Sequence, residues 1–326
     1  MYSLRHYGAM IADAGRSNAY AKAIARAVRP GDSVADIGCG AGVFSLLACR
    51  AGARRVFAIE SENCIQFARE LAAANGFTDR IEFVQSDSRK TELPERVNVI
   101  VSDLRGVLPL YDHAISSLED ARQRLLATGG IMIPQRDTLK AAVIEAEEYY
   151  SHLTTPWRKS VCELDLSPSV LPILNQFYSS SYKKEQLLTE AQDWGLLDYT
   201  VGAASRVTAE LDFRAVREGM AYGVCLWFET ALFENIGYSS EPGPADSVHG
   251  QLFLPWLEPV ALEKGQEIQV GLHADLVDQD YIWRWETRIP AGANRPALHF
   301  QQSTFQGTNL SFESLRRQAV DYAPLL

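Results

Sequence analysis

The sequence has no Cys-x-x-Cys pair and no cysteine spacing suited to a metal; its five cysteines stand apart at 39, 49, 64, 162 and 225. An odd number of scattered thiols argues against a disulfide framework and fits reduced cysteines in the cytosol, so a cytoplasmic protein is expected. No run of about 18 uncharged apolar residues occurs, so no membrane-spanning helix is expected. The opening stretch MYSLRHYGAMIADAGR has no long apolar core, and no secretion signal is expected either. Positive charge is scarce as well: 31 lysines and arginines stand against 41 aspartates and glutamates, a net charge of -10. Nucleic-acid binding wants a basic footprint and is disfavoured. An acid excess of this size is what many soluble proteins carry for solubility. No internal repeat or low-complexity tract is found.

What is present is ordinary globular material, 47% apolar and 22% charged, over 326 residues. At about 150 residues per domain that length suggests two domains. Strand and helix signals alternate first: SVADIG (33–38), a helix over 41–51, RRVFAIE (54–60), a helix over 62–75, RIEFVQSD (80–87), VNVIVSD (97–103), a helix over 113–126 stopped by Gly129-Gly130, and IMIP (131–134). Such alternation predicts parallel strands joined by helical crossovers. After Pro134 the runs are strand-like, at 139–146, 223–233, 249–256, 267–276 and 281–289, with turns at Pro242-Gly243-Pro244 and Lys264-Gly265. They predict a separate all-β domain. The aromatic stripes at 222–227 and 281–285 are read as its core. Residues 167–195 are not strand-like and read as an insertion with helical pieces. SFESLRRQAVDY (311–322) reads as a helix in a C-terminal extension over 298–326.

VADIGCGAG places Gly38, Gly40 and Gly42 directly after the first strand, with Asp36 just before the turn. Glycines there let the backbone turn tightly and approach a ligand. The third glycine comes one residue earlier than in a dinucleotide fingerprint. Asp-x-Gly-x-Gly-x-Gly resembles the first motif of S-adenosylmethionine-dependent methyltransferases. Glu60, at the end of the second strand, can accept both hydroxyls of a ribose, with Ser61 beside it. Asp87 and Ser88, after the third strand, stand where such folds often contact adenine; a plain turn aspartate is the other reading of Asp87.

With these residues in hand, the sequence resembles the protein arginine methyltransferases. HYGAMIADAGRSNAYAKAI carries Met10, Asp13 and Arg16 at the family's Met-x-x-Asp-x-x-Arg spacing, and His6 and Tyr7 match the same segment. AGARRVFAIE, TELP (91–94) and IMIPQRDTL also fit. SDLRGVLPLYD (102–112) aligns with the family's double-glutamate loop, and DSVHGQ (246–251) falls at its Thr-His-Trp, which makes His249 the matching histidine. The resemblance implies an α/β fold: a Rossmann-like S-adenosylmethionine-binding domain (1–134), then a β-barrel (135–326) whose inserted arm (167–195) docks on a partner to make a homodimer. It implies that His6, Met10, Arg16, Asp36, Gly38, Gly40, Gly42, Glu60, Ser61, Asp87 and Ser88 surround the cofactor. Catalysis would fall to Asp103, Asp112 and His249, on a protein arginine and without a metal.

A guanidinium is almost always charged, with a pKa above about 12, so a catalyst must orient one nitrogen and hold electron density on it. Two carboxylates gripping the other hydrogens achieve this largely by positioning. Here both glutamates are aspartates, each shorter by about 1.5 Å. A 1 Å misplacement can cost ~100-fold in rate. Arg105 lies between the acids and either pairs with one of them or binds an anionic acceptor. Gly250 replaces the family's tryptophan. A small-molecule acceptor on the same scaffold, or a non-catalytic cofactor-binding module, are the alternatives. Helix capping is the structural alternative for Asp103 and Asp112.

Overall fold

A computed structural model describes residues 3–243, 247–278, 280–291 and 296–307. Pro244, Asp246 and the helix expected over 311–322 lie outside the described residues. The chain divides into two compact units. One comprises Met1–Lys140, Gly195–Ser205 and Trp227–Gln251; the other comprises Ala141–Trp194, Arg206–Leu226 and Leu252–Leu326.

The first unit opens with α1 (Leu4–Ala12) and α2 (Ala14–Ala27). Asp13 separates them, its carboxylate accepting the Arg16 N–H at 3.0 Å as an N-cap. Then follow β1 (Ser33–Ile37), α3 (Val43–Ala51), β2 (Arg55–Glu60), α4 (Ile65–Ala74), β3 (Ile81–Gln85), β4 (Val97–Ser102), α5 (Ala114–Arg124) and β5 (Leu126–Ile133). The five strands pair in parallel in the order β3-β2-β1-β4-β5. Every residue of β1 is buried, as a strand covered on both faces must be. Strand order reverses between β1 and β4, so the carboxyl ends of these two open the crevice where such sheets bind ligands. The glycine loop follows β1 and Asp103 follows β4.

One expected boundary moves. Gly129-Gly130 do not stop α5; they lie inside β5. The helix ends at Arg124 because the Leu125 carbonyl already accepts the Val97 N–H at 2.8 Å, which draws the chain onto the sheet. Gly129, at φ 75°, then absorbs the irregular β4–β5 register between Val97 and Val99.

The rest of the chain runs β6 (Arg136–Ile144), α6 (Glu147–Arg158), α7 (Val170–Leu174), β7 (Tyr178–Ser180), β8 (Gln192–Asp198), β9 (Arg206–Arg214), β10 (Gly219–Phe233), β11 (Ile236–Ser239), β12 (Gln251–Leu262), β13 (Glu267–Val277), β14 (Asp280–Ile289) and β15 (Leu298–Ser303). Helix α6 precedes the insertion expected from 167, and β8 begins inside it. Strands β15-β14-β13-β9 form one antiparallel sheet; β7-β12-β10-β6-β8 form another, with β11 paired to β10. The second unit's core holds Trp256, Trp283 and Trp285, all fully buried, and the Trp285 indole donates to the Pro255 carbonyl at 3.2 Å. The stripe at 281–285 is therefore core, as expected. Among the described residues no helix is long and apolar enough to cross a membrane.

Candidate active site

The glycine loop is shaped by backbone contacts that a side chain would break. The N–H groups of Gly38 and Cys39 both donate to the Ile59 carbonyl, at 2.9 and 3.0 Å, which folds the loop back against β2. Gly38 (φ 70°) lies so close under Leu104 that a Cβ would come within 2.3 Å of its side chain, and at Gly40 (φ 52°) a Cβ would meet the Tyr7 ring at 2.6 Å. Only glycine suits such positive φ angles with neighbours that close. Glu60 holds the loop from the other side: one carboxylate oxygen accepts the Gly40 N–H and the other the Glu62 N–H, both at 3.0 Å. A carboxylate oxygen has two acceptor sites, so both oxygens of Glu60 keep capacity for a ligand hydroxyl.

Asp36 is buried at the base of the loop. One oxygen accepts the Ser45 hydroxyl at 2.6 Å; the other has no hydrogen-bond partner among the described residues. Burial pushes its carboxyl up from 3.8 to about 7, and the Ser45 hydrogen bonds offset this only in part. The folded chain thus keeps a proton that the unfolded chain releases near its ordinary pKa. Stability from this group is full at low pH and declines as pH rises from about 4 to 7. Asp36→Asn is expected to be more stable than the wild type at about pH 8, by about 1–3 kcal/mol after the unpaired amide N–H is set against the lost charge, with the gap closing toward pH 4. Thermal melts across that range check it.

Asp103 stands at the other side of the crevice in a buried ionic cluster. One oxygen accepts Arg16 Nε at 2.6 Å, and the other accepts Arg105 Nη1 at 2.7 Å. Burial alone would raise its pKa; the Arg16 and then the Arg105 charges outweigh that and hold it at about 2. Arg16 also donates from Nη1 to the Met10 carbonyl at 3.1 Å and lies 5.1 Å over the Phe44 ring. Its Nη2 has no partner among the described residues, which leaves one edge of the guanidinium open to a carboxylate.

Arg105 turns away from solvent. It grips Asp137 through two parallel bonds, Nε to Oδ2 at 3.0 Å and Nη2 to Oδ1 at 2.9 Å. Nη2 also donates to Thr230 Oγ1 at 2.8 Å, and Nη1 to the Tyr20 and Tyr238 hydroxyls at 2.8 and 3.2 Å. Tyr199 donates to Asp137 at 2.6 Å, and the Phe228 ring covers the guanidinium at 5.1 Å. The expectation that Arg105 pairs with an acid is met at Asp103 and again at Asp137. Its alternative role as an anchor for an anionic acceptor is corrected: each N–H already has an acceptor. His249 joins the cluster 4.0 Å from Asp103. Its Nδ1 lies 3.0 Å from the Gly106 carbonyl, which can only accept, so Nδ1 carries the hydrogen; Nε2 faces the Tyr238 hydroxyl at 3.2 Å. Burial lowers the pKa of His249, and the nearby Asp103 charge only partly restores it.

Other expected residues are placed elsewhere. Asp112, at φ 43°, has a side chain 55% exposed and 3.8 Å from His113; the structure does not bring it to Asp103. His6 lies in the capping box of α1 with Ser3 and is exposed. Ser61 contacts Glu60 only at 3.5 Å. Asp87 caps the turn at Ser88 and pairs with Arg89 at 2.8 Å, while the buried Ser88 offers its carbonyl to Arg124 at 2.9 Å. Sequence reasoning missed Tyr20, Asp137, Tyr199, Thr230 and Tyr238. The available signal was a lone acid, Asp137, entering an apolar strand, opposite a lone arginine in an apolar loop.

The family model described as ribosomal protein L11 methyltransferase (PrmA) matches residues 19–163. Probable protein arginine N-methyltransferase 6 of Arabidopsis thaliana is 30% identical over 254 residues, covering 74% of this chain and 57% of that protein. Probable protein arginine N-methyltransferase 6.1 of Oryza sativa subsp. indica is 30% identical over 257 residues, covering 75% of this chain and 67% of that protein. The chain belongs to the protein arginine N-methyltransferase family. Solved members share the fold: the Trypanosoma brucei PRMT1 enzyme-prozyme heterotetrameric complex with AdoHcy matches with a TM-score of 0.84 at 21% identity, over 91% of this chain and 97% of that one. Arabidopsis thaliana protein arginine methyltransferase 10 matches with a TM-score of 0.81 at 20% identity, over 92% and 97%. The chain spans just over half of the Arabidopsis relative's length. Arg105 and Asp137 both lie within residues 19–163, the stretch that the family model matches.

Proposed function

We propose that the chain is an S-adenosylmethionine-dependent methyltransferase whose acceptor is a guanidinium nitrogen of protein arginine. One observation carries this reading: at the switch point between β1 and β4, a glycine cradle backed by Glu60 faces a buried, ionised Asp103. The residues suit the cofactor. The glycine loop turns too tightly under Leu104 and Tyr7 to carry a Cβ, Asp36 has a buried oxygen without a described partner, and Arg16 has an open edge. Glu60 and Ser61 would hold the ribose hydroxyls, Arg16 the carboxylate, Asp87 and Ser88 the adenine, with His6 and Met10 closing the α1 side. When bound, S-adenosylmethionine supplies a methyl activated on a sulfonium. Asp103 would orient the acceptor and hold its charge against the crevice. His249, neutral and bonded at both nitrogens, positions the loop at Gly106. Asp112 would serve as a second carboxylate only by turning inward.

Exposed Leu164, Leu171 and Phe177, in and next to the 167–195 segment, support a homodimer formed through it. The scattered cysteines support a cytoplasmic setting. A second reading, a small-molecule acceptor, is favoured by the exposure of Asp112. Calorimetry with S-adenosylhomocysteine and transfer of labelled methyl to an arginine-rich peptide test the proposal. Binding with transfer supports it, binding with transfer only to a metabolite extract moves the acceptor, and no binding rejects it.

A further inference from the structure

Arg105 has no part in holding the cofactor and is linked to the methyl transfer outlined above only through its bond to Asp103, yet it is among the most elaborately bound side chains of the first unit. Its surroundings have the chemistry of a guanidinium receptor. A carboxylate grips it side-on (Asp137), a second carboxylate meets it end-on (Asp103), three hydroxyls accept at the rim, and an aromatic ring lies over the face. A planar five-donor fork is the group such a constellation selects. The cavity lined by Ser102, Asp103, Arg105 and Tyr199 measures about 10 Å³, room for no more than about one water. Both oxygens of Asp103 already accept from an arginine.

We infer that Arg105 is the chain's own guanidinium seated in the acceptor position, and that it keeps an incoming arginine off Asp103 until it withdraws. The inference rests on the methyltransferase reading above. Two guanidiniums, Arg16 and Arg105, balance two carboxylates, Asp103 and Asp137, in this buried cluster. An added arginine would bring an uncompensated positive charge into it, so it enters only where Arg105 withdraws. Asp137 is what keeps Arg105 seated.

Arg105→Met with Asp137 kept opens the position and leaves a carboxylate that an incoming guanidinium would balance. This variant should bind S-adenosylhomocysteine within about threefold of wild type and turn over an arginine-rich peptide at least about tenfold faster. A folded Arg105→Met variant that binds S-adenosylhomocysteine but is no faster than wild type overturns the inference. Failure of the wild type to bind S-adenosylhomocysteine overturns instead the methyltransferase reading beneath it. A second measurement needs no turnover. In Arg105→Ala, with Asp137 kept, millimolar ethylguanidinium should raise the melting temperature clearly more than ethylammonium does, and wild type should show no such difference. Equal shifts with the two cations in the variant would reject a guanidinium-shaped position.

Discussion

Asp137→Ala should destabilise the chain by about 3–5 kcal/mol, the largest effect expected of any single substitution in the cluster. Asp137 has no exposed surface and accepts two bonds from Arg105 and one from Tyr199. Its removal leaves the first unit with a buried excess positive charge and a Tyr199 hydroxyl without its acceptor. Asp103 cannot make up the loss, because Arg16 and Arg105 already divide its two oxygens. A double-mutant cycle separates this electrostatic cost from lost packing. Arg105→Met/Asp137→Ala should recover most of the melting temperature lost by Asp137→Ala, since charge balance returns. Additive losses in thermal melts would show that the pair is not coupled.

The second large effect is expected on ligand binding rather than on folding. Glu60→Gln should weaken S-adenosylhomocysteine binding by about 100-fold, or about 2.8 kcal/mol. The substitution keeps shape and size. However, each Glu60 oxygen accepts a backbone N–H, from Gly40 or from Glu62. Whichever way the amide turns, its NH₂ faces one of those donors, and the loop loses a tether. The same NH₂ also removes one acceptor that a ribose hydroxyl would use. Calorimetry measures the loss. A change below about threefold would mean that Glu60 serves only the backbone of the loop and not the ligand.

Local patterns in the sequence carried the first unit well. Short apolar runs ending in glycine or acid located four of the five parallel strands to within a few residues, because a strand buried on both faces has to be apolar throughout. The glycine loop and Glu60 were legible for a similar reason: their roles follow from backbone conformation and from strand ends, both set nearby in the chain. Gly129-Gly130 misled, because two glycines mark a helix stop and a strand irregularity equally well. The Arg105 cluster was legible only in part. Its pairing with Asp103, two residues away, could be read. Its bonds to Asp137, Thr230 and Tyr238 join positions 32, 125 and 133 residues apart, and strand pairing alone decides those meetings. Alignment of the double-acid loop likewise suggested that Asp112 faces Asp103. Its positive φ and the Tyr111–Asp112–His113 turn carry it outward instead.

The bonds around His249 also have a direction. Arg105 Nη1 donates to the Tyr238 hydroxyl, which must then donate onward to His249 Nε2, while Nδ1 donates to Gly106. A proton captured at Nε2 would reverse the Tyr238 hydroxyl and set it against the Arg105 donor. Acidification would thus reach a guanidinium that never titrates through the rotation of a single phenolic hydrogen.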